Sequence, residues 1–513
     1  MSVINTNNYF ESRKENFMLV NTKDLQRKTE EYTVKLRKTK RTERFERLRL
    51  NMIEKVSEEF SLIKDFSSQT AENKLLLIYN FLYENKEIDK IKDCLKEFAK
   101  ILIQNKLDLI ELYRDDYANM LCDILNNDLP DEITSKAAWI LCIFIYKNPL
   151  TEKLVNFGVI DALIGAINEN KPLTTENSIC ALANICGDNE KYRHEISINY
   201  SFHSLLHRLL QTININKNTN IAKTIAFCIS NLCRTHSEIP IEALNILWEM
   251  INLLGNSNDI EIIYDIFSAL RFLIDNQNPK YLNTALDEKI IKNCIEKFEI
   301  DNPDIKFEIL KLIASISFLD KNEELLKLGV LDLLIKIIAN TNQNARRLVQ
   351  KIISNLLCDK KCIFQIINHK IFEKVASGLI DPDILTRLEA SYSFRNISQV
   401  ANTEQILAIC NNDYFLYISE GIKSVEPKIV MNLLKFVKRA LICGEEIAEN
   451  TRSKDNKMCI LLDQTKCLDA MEHAQQFMTP EVYQYVINIF KDFFGFEDEN
   501  LEIQSTPQIF EFS

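Results

Sequence analysis

One block recurs along this chain at a nearly constant interval: an apolar helical run ending in Asn, or a residue in its place, followed by a hydrophobic residue. Asn184 lies in Ala181-Leu182-Ala183-Asn184-Ile185 and Asn231 in Cys228-Ile229-Ser230-Asn231-Leu232. Asn355 lies in Ile352-Ile353-Ser354-Asn355-Leu356 and Asn396 in Ser393-Phe394-Arg395-Asn396-Ile397. Phe272, Ser315 and, upstream, Ile143 occupy the same place, and the steps from Ile143 to Asn396 are 41, 47, 41, 43, 40 and 41. A second marker keeps the same phase. Gly158 in Phe157-Gly158-Val159-Ile160-Asp161 and Gly329 in Leu328-Gly329-Val330-Leu331-Asp332 stand 171 residues apart, close to four steps. Glycine at such a point suits a tight turn with positive φ.

A period of this length belongs to the armadillo/HEAT class, with two or three helices per repeat. Each repeat is too small to bury its apolar faces alone, so stacked neighbours supply the core and leave an elongated concave surface. The composition agrees. With 9 Gly and 10 Pro in 513 residues, little is left for hairpins, and 46% hydrophobic with 26% charged residues is the balance of a folded chain. The reading is all-α, an armadillo-repeat right-handed superhelical solenoid.

Fourteen Cys sit mostly in apolar helical runs, where a thiol acts as a small hydrophobe. Met1 to Phe10 is polar rather than a secretory leader, and the longest apolar run, Ala137 to Tyr146, is half a membrane span. A reducing compartment is expected, cytoplasm or nucleus, with no membrane partner.

The net charge of −11 conceals an asymmetry. Residues 11–50 carry 13 Lys and Arg against 7 Asp and Glu, a net of +6, which leaves −17 for the remainder. A basic arm on an acidic body binds something acidic or folds back on the body. Glu30, Glu31, Glu43 and Glu46 interleave with the basic residues, which argues against nucleic acid as the arm's partner.

The arm and the repeats together resemble the importin-α (karyopherin-α) family. Val34-Lys35-Leu36-Arg37-Lys38-Thr39-Lys40-Arg41, within Asp24 to Arg49, resembles the core of the family's importin-β-binding arm. Ala181 to Asp188 is similar to an early repeat of the family, and Glu389 to Asn396 to a late one. Cys467-Leu468-Asp469-Ala470-Met471-Glu472, then Glu481-Val482-Tyr483 and Phe493-Phe494, resembles its final repeat, with acidic Glu497-Asp498-Glu499 beyond. The resemblance implies a basic arm over 1–55, about ten repeats over 56–496 and a polar tail over 497–513.

It also implies a function: a nuclear import adaptor that shuttles between cytoplasm and nucleus. Its groove would hold nuclear localisation signals, extended peptides rich in Lys and Arg. Asn carboxamides can donate and accept hydrogen bonds to an extended backbone, aromatic rings can flank cationic stems, and carboxylates can pair with their heads. By this resemblance the major site comprises Trp139, Asn184, Asp188, Phe227, Asn231 and Asp265. The minor site comprises Asn355, Glu389, Tyr392 and Asn396. Arg27, Lys28, Lys35, Arg37, Lys38, Lys40, Arg41 and Arg44 would meet an acidic surface of an importin-β-like carrier, and an export receptor would grip the C-terminal repeat.

The departures from the family pattern bear on affinity. Ile143 replaces an expected Asn, while Cys180, Ser268 and Lys351 stand where Trp is usual. Lys351 repels a basic peptide. The arm's last basic cluster, Arg47-Leu48-Arg49, is interrupted by Leu48, so self-occupancy of the groove is expected to be weak. His203 with His207 and Cys358 with Cys362 have no third ligand or second pair nearby in sequence. No nucleotide-binding motif or nucleophile–base pair is evident. The expectation is a binding protein without catalytic residues, metal or cofactor. A second reading, a scaffold that holds a folded partner, stays open.

Overall fold

The structure is a computed structural model that describes residues 66–104, 109–146, 150–212, 219–235, 237–276, 282–283, 286–338, 342–453 and 455–495. All regular structure among them is helical, with no strand. The repeating unit is clearest where a short helix Thr151–Asn156 is followed by Val159–Gly165 and then the longer Pro172–Asp188. The pattern recurs as Asn322–Lys327, Val330–Ile338 and Gln343–Leu356. These are armadillo repeats.

The long third helices organise the fold and are numbered here in order, the others being given by range. They are α1 Ile88–Gln104, α2 Asp131–Tyr146, α3 Pro172–Asp188, α4 Thr219–Leu232 and α5 Ile260–Asn276. There follow α6 Pro303–Ile316, α7 Gln343–Leu356, α8 Ile384–Val400, α9 Pro427–Thr451 and α10 Pro480–Phe494. The chain divides into two compact units, Met1–Asn278 and Pro279–Ser513. In the first, α1 to α5 stack successively, and in the second α6 to α10 do the same.

Local chemistry fixes where these helices begin. Pro opens α3, α6, α9 and α10, where its missing N–H has no partner to lose. Asn302, Asn342 and Asp383 cap α6, α7 and α8 by accepting backbone N–H bonds that would otherwise be orphaned. One cap comes from the preceding repeat: the Asp131 carboxylate accepts the N–H groups of Leu173 and Thr174 at 3.1 and 2.9 Å. Gly158 and Gly329 adopt φ of +74° and +79° before the second helices. A Cβ would meet nothing within 4 Å at either, so backbone conformation, not space, requires glycine there.

Burial follows the stacking. In α2 the run from Ile133 to Ile145 is buried apart from Lys136, because neighbouring helices cover it on several sides. The fourteen cysteines are free thiols, twelve of them buried, and burial pushes the Cys94 and Cys186 thiols up to about 12. They are packing groups in their protonated form. His203 is also buried, its Nε2 lying 2.7 Å from the Ser197 carbonyl, while His207 faces Glu249 at 3.2 Å. Among the described residues no helix is long and apolar enough to cross a membrane.

Candidate functional site

The sequence-predicted Asn residues lie on the third helices, and the structure gives each carboxamide an architectural contact. Asn184 Nδ2 donates to the Cys142 sulfur at 3.3 Å and Asn231 Nδ2 to the Ala183 carbonyl at 3.1 Å. In the second unit Asn355 donates to Ser317 Oγ at 2.8 Å and Asn396 to the Ser354 carbonyl at 2.6 Å. Every one of these bonds reaches back to the preceding repeat. Two residues outside the expected set do likewise: Asn177 donates to the Ser135 carbonyl at 2.9 Å and Asn432 to Ser391 Oγ at 3.0 Å. Asn184, Asn231, Asn355 and Asn396 are all buried, and the Oδ1 of Asn231 also accepts from Arg234, so these carboxamides serve the stacking of the repeats.

In the first unit, Asp188 ends α3 one turn beyond Asn184 and is half-buried. The surrounding charge is mixed. Arg193 is buried and donates to the carbonyls of Cys186 at 2.6 Å and Arg234 at 3.3 Å. Arg234 in turn reaches Asn231 Oδ1 at 3.4 Å. Asp188 favours the charged form of Arg193, while burial is the larger influence and holds that guanidinium below its usual range. Neither arginine stood out in the sequence, because each lies away from the repeating Asn position. Phe227 and Asp265 are half-buried on α4 and α5.

Trp139 is 1% exposed and ranks among the largest fully buried side chains, unlike the open ring wall that the resemblance implies. The physical reason is the apolar character of α2 on nearly every side. Cys180, in the corresponding place on α3, is buried against Cys142 with sulfurs 3.7 Å apart.

In the second unit, Glu389 and Tyr392 are half-buried on α8, Tyr392 one turn before Asn396. Lys351 holds its ammonium 5.3 Å from the centre of the Phe318 ring. Lys311 pairs with the buried Glu308 at 3.0 Å and lies 4.7 Å from the Phe307 ring. The proposed carrier-binding residues Arg27, Lys28, Lys35, Arg37, Lys38, Lys40, Arg41 and Arg44 lie outside the described residues, as does the acidic segment 497–499.

No family model matches the chain. Importin subunit alpha-6 of Arabidopsis thaliana is 22% identical over 273 residues, 52% of this chain and 49% of that protein. The relation is importin-α-like and distant. Importin subunit alpha-4 of the same plant is 21% identical over 316 residues, 58% of this chain and 56% of that protein. The chain thus spans about half the length of these curated relatives. The crystal structure of an engineered protein superposes with a TM-score of 0.66 at 14% identity, covering 83% of this chain and 99% of its own, a likeness of fold.

Proposed function

We propose that the protein is a transport adaptor whose first unit binds basic signal peptides and whose arm engages an importin-β-like carrier. The observation that carries this reading is the register of Asn184 and Asn231. They occupy the same position on adjacent third helices, with Asp188 one turn beyond the first and Phe227 one turn before the second. The half-buried Asp188 and Asp265 can attract Lys or Arg heads beside these positions, and the half-buried Phe227 ring can flank a cationic stem. The distant similarity to plant importin-α subunits supports the same reading.

In this account the protein acts by binding and performs no catalysis. It releases cargo in the nucleus and returns with an export receptor on the repeat that ends in α10. Arg37, Lys38, Lys40 and Arg41 form the densest part of the carrier-binding segment.

Titration of a fluorescent bipartite basic peptide, followed by anisotropy, tests the proposal. Saturable binding that is abolished by Asp188→Lys is expected. A folded protein with no binding would favour the other reading, a scaffold for a folded partner, which the burial of Trp139 supports. The arm is tested separately by charge reversal at Arg37 and Lys38, which should abolish carrier capture while leaving peptide titration intact.

A further inference from the structure

The second unit carries a row of cations of its own, on helices that the basic-peptide proposal does not use. Lys311 on α6, Lys351 on α7, Arg395 on α8 and Lys435 on α9 follow one another at steps of 40, 44 and 40 on successive third helices. Each is only partly buried. Side-chain contacts join the helices that carry them. Lys351 reaches the Phe318 ring beyond the end of α6, and Arg395 Nη1 lies 3.4 Å from Asn432 Oδ1 on α9. Asn396, beside Arg395, is bonded to Ser354 on α7.

Opposing charge along this row is sparse. Glu308 is bound to Lys311, and Glu389 stands on α8. Lys435 has no ion pair among the described residues. Burial and then the neighbouring Arg395 charge lower its pKa, and Glu481 on α10 offsets them in part. Two like charges held on adjacent helices favour an anionic ligand between them.

We propose that this face of the second unit binds an acidic extended peptide, its carboxylates meeting Arg395 and Lys435 first and Lys351 and Lys311 beyond. Packed helices stand about 8–10 Å apart and an extended chain rises about 3.3 Å per residue, so a carboxylate at every third residue matches the rungs. This goes beyond the adaptor reading, since it concerns the other unit and the opposite charge.

The test uses the full chain and a fluorescent peptide with Glu at every third residue, beside its Lys counterpart. The Glu peptide should bind, with affinity falling as salt rises, and Arg395→Glu with Lys435→Glu should weaken it by at least about tenfold. The milder Arg395→Gln with Lys435→Gln should weaken it less, and unchanged melting of the Gln pair guards against misfolding. Binding of the Lys peptide to the first unit should survive both pairs. Failure of the Glu peptide to bind, or binding that both pairs leave unchanged (as expected if the basic arm held it), overturns the proposal. Failure of the Lys peptide to bind the unaltered chain would sink the adaptor reading and leave this one standing.

Discussion

Asn396 on α8 donates its carboxamide N–H to the Ser354 carbonyl on α7 at 2.6 Å, joining helices of adjacent repeats inside a buried seam. Asn396→Ala removes that donor and should destabilise the protein by about 1–3 kcal/mol, read as a lower denaturant midpoint by circular dichroism. An unchanged midpoint would mean that the bond contributes nothing net.

Lys466 holds φ at +55° before the helix Cys467–Phe477, the place taken by Gly158 and Gly329 in earlier repeats. A non-glycine residue is strained in this left-handed region. Lys466→Gly should therefore raise stability by up to about 1 kcal/mol, less whatever the more flexible unfolded chain takes back. A loss of stability would show that the Lys466 side chain contributes more than its backbone strain costs.

Gly444 has the opposite role, within α9. A Cβ there would lie 2.0 Å from Asn456 Oδ1 and 2.8 Å from Met458 Cγ. Asn456 caps the next helix through the Met458 N–H at 2.9 Å and donates to the Leu441 carbonyl at 2.9 Å. Gly444→Ala should thus destabilise by about 1–3 kcal/mol, despite alanine's better helix propensity. Thermal melting decides between crowding and propensity, since they act with opposite sign.

His203 is buried and its pKa is lowered, with burial the larger cause and the Ser197 carbonyl opposing it. The unfolded chain then binds the proton more readily than the folded one. Stability should be full above the unfolded value of about 6.5 and decline as pH falls through it toward the lower folded value. His203→Phe should flatten that segment of the profile, measured as denaturation midpoint against pH. An unaltered profile would assign the acid loss to other groups.

Much of the architecture was legible because the repeat is written in residue identity: Asn184, Asn231, Asn355 and Asn396 fall in helices that the structure stacks in order. The positive φ of Gly158 and Gly329 was legible for the same reason, since few other residues adopt it easily. The depth of Trp139 was not legible. A Trp in an apolar run reads alike whether its ring lines a groove or fills a core, and only the neighbouring helices decide. Asn432 escaped notice because it lies 36 residues after Asn396, outside the recurring step. The row from Lys311 to Lys435 was missed because its first two members lie one turn before the marker positions, whereas Arg395 immediately precedes its Asn.

The backward-reaching carboxamides have a consequence for how such chains diverge. Because each Asn side chain helps to hold its repeat to the one before, mutation there is disfavoured whether or not a ligand is bound. The charged and aromatic positions beside it carry less of that burden and can drift once a ligand changes. In a lineage of such proteins, persistence of the Asn row would trace common descent of the scaffold, while turnover beside it would record a change of ligand.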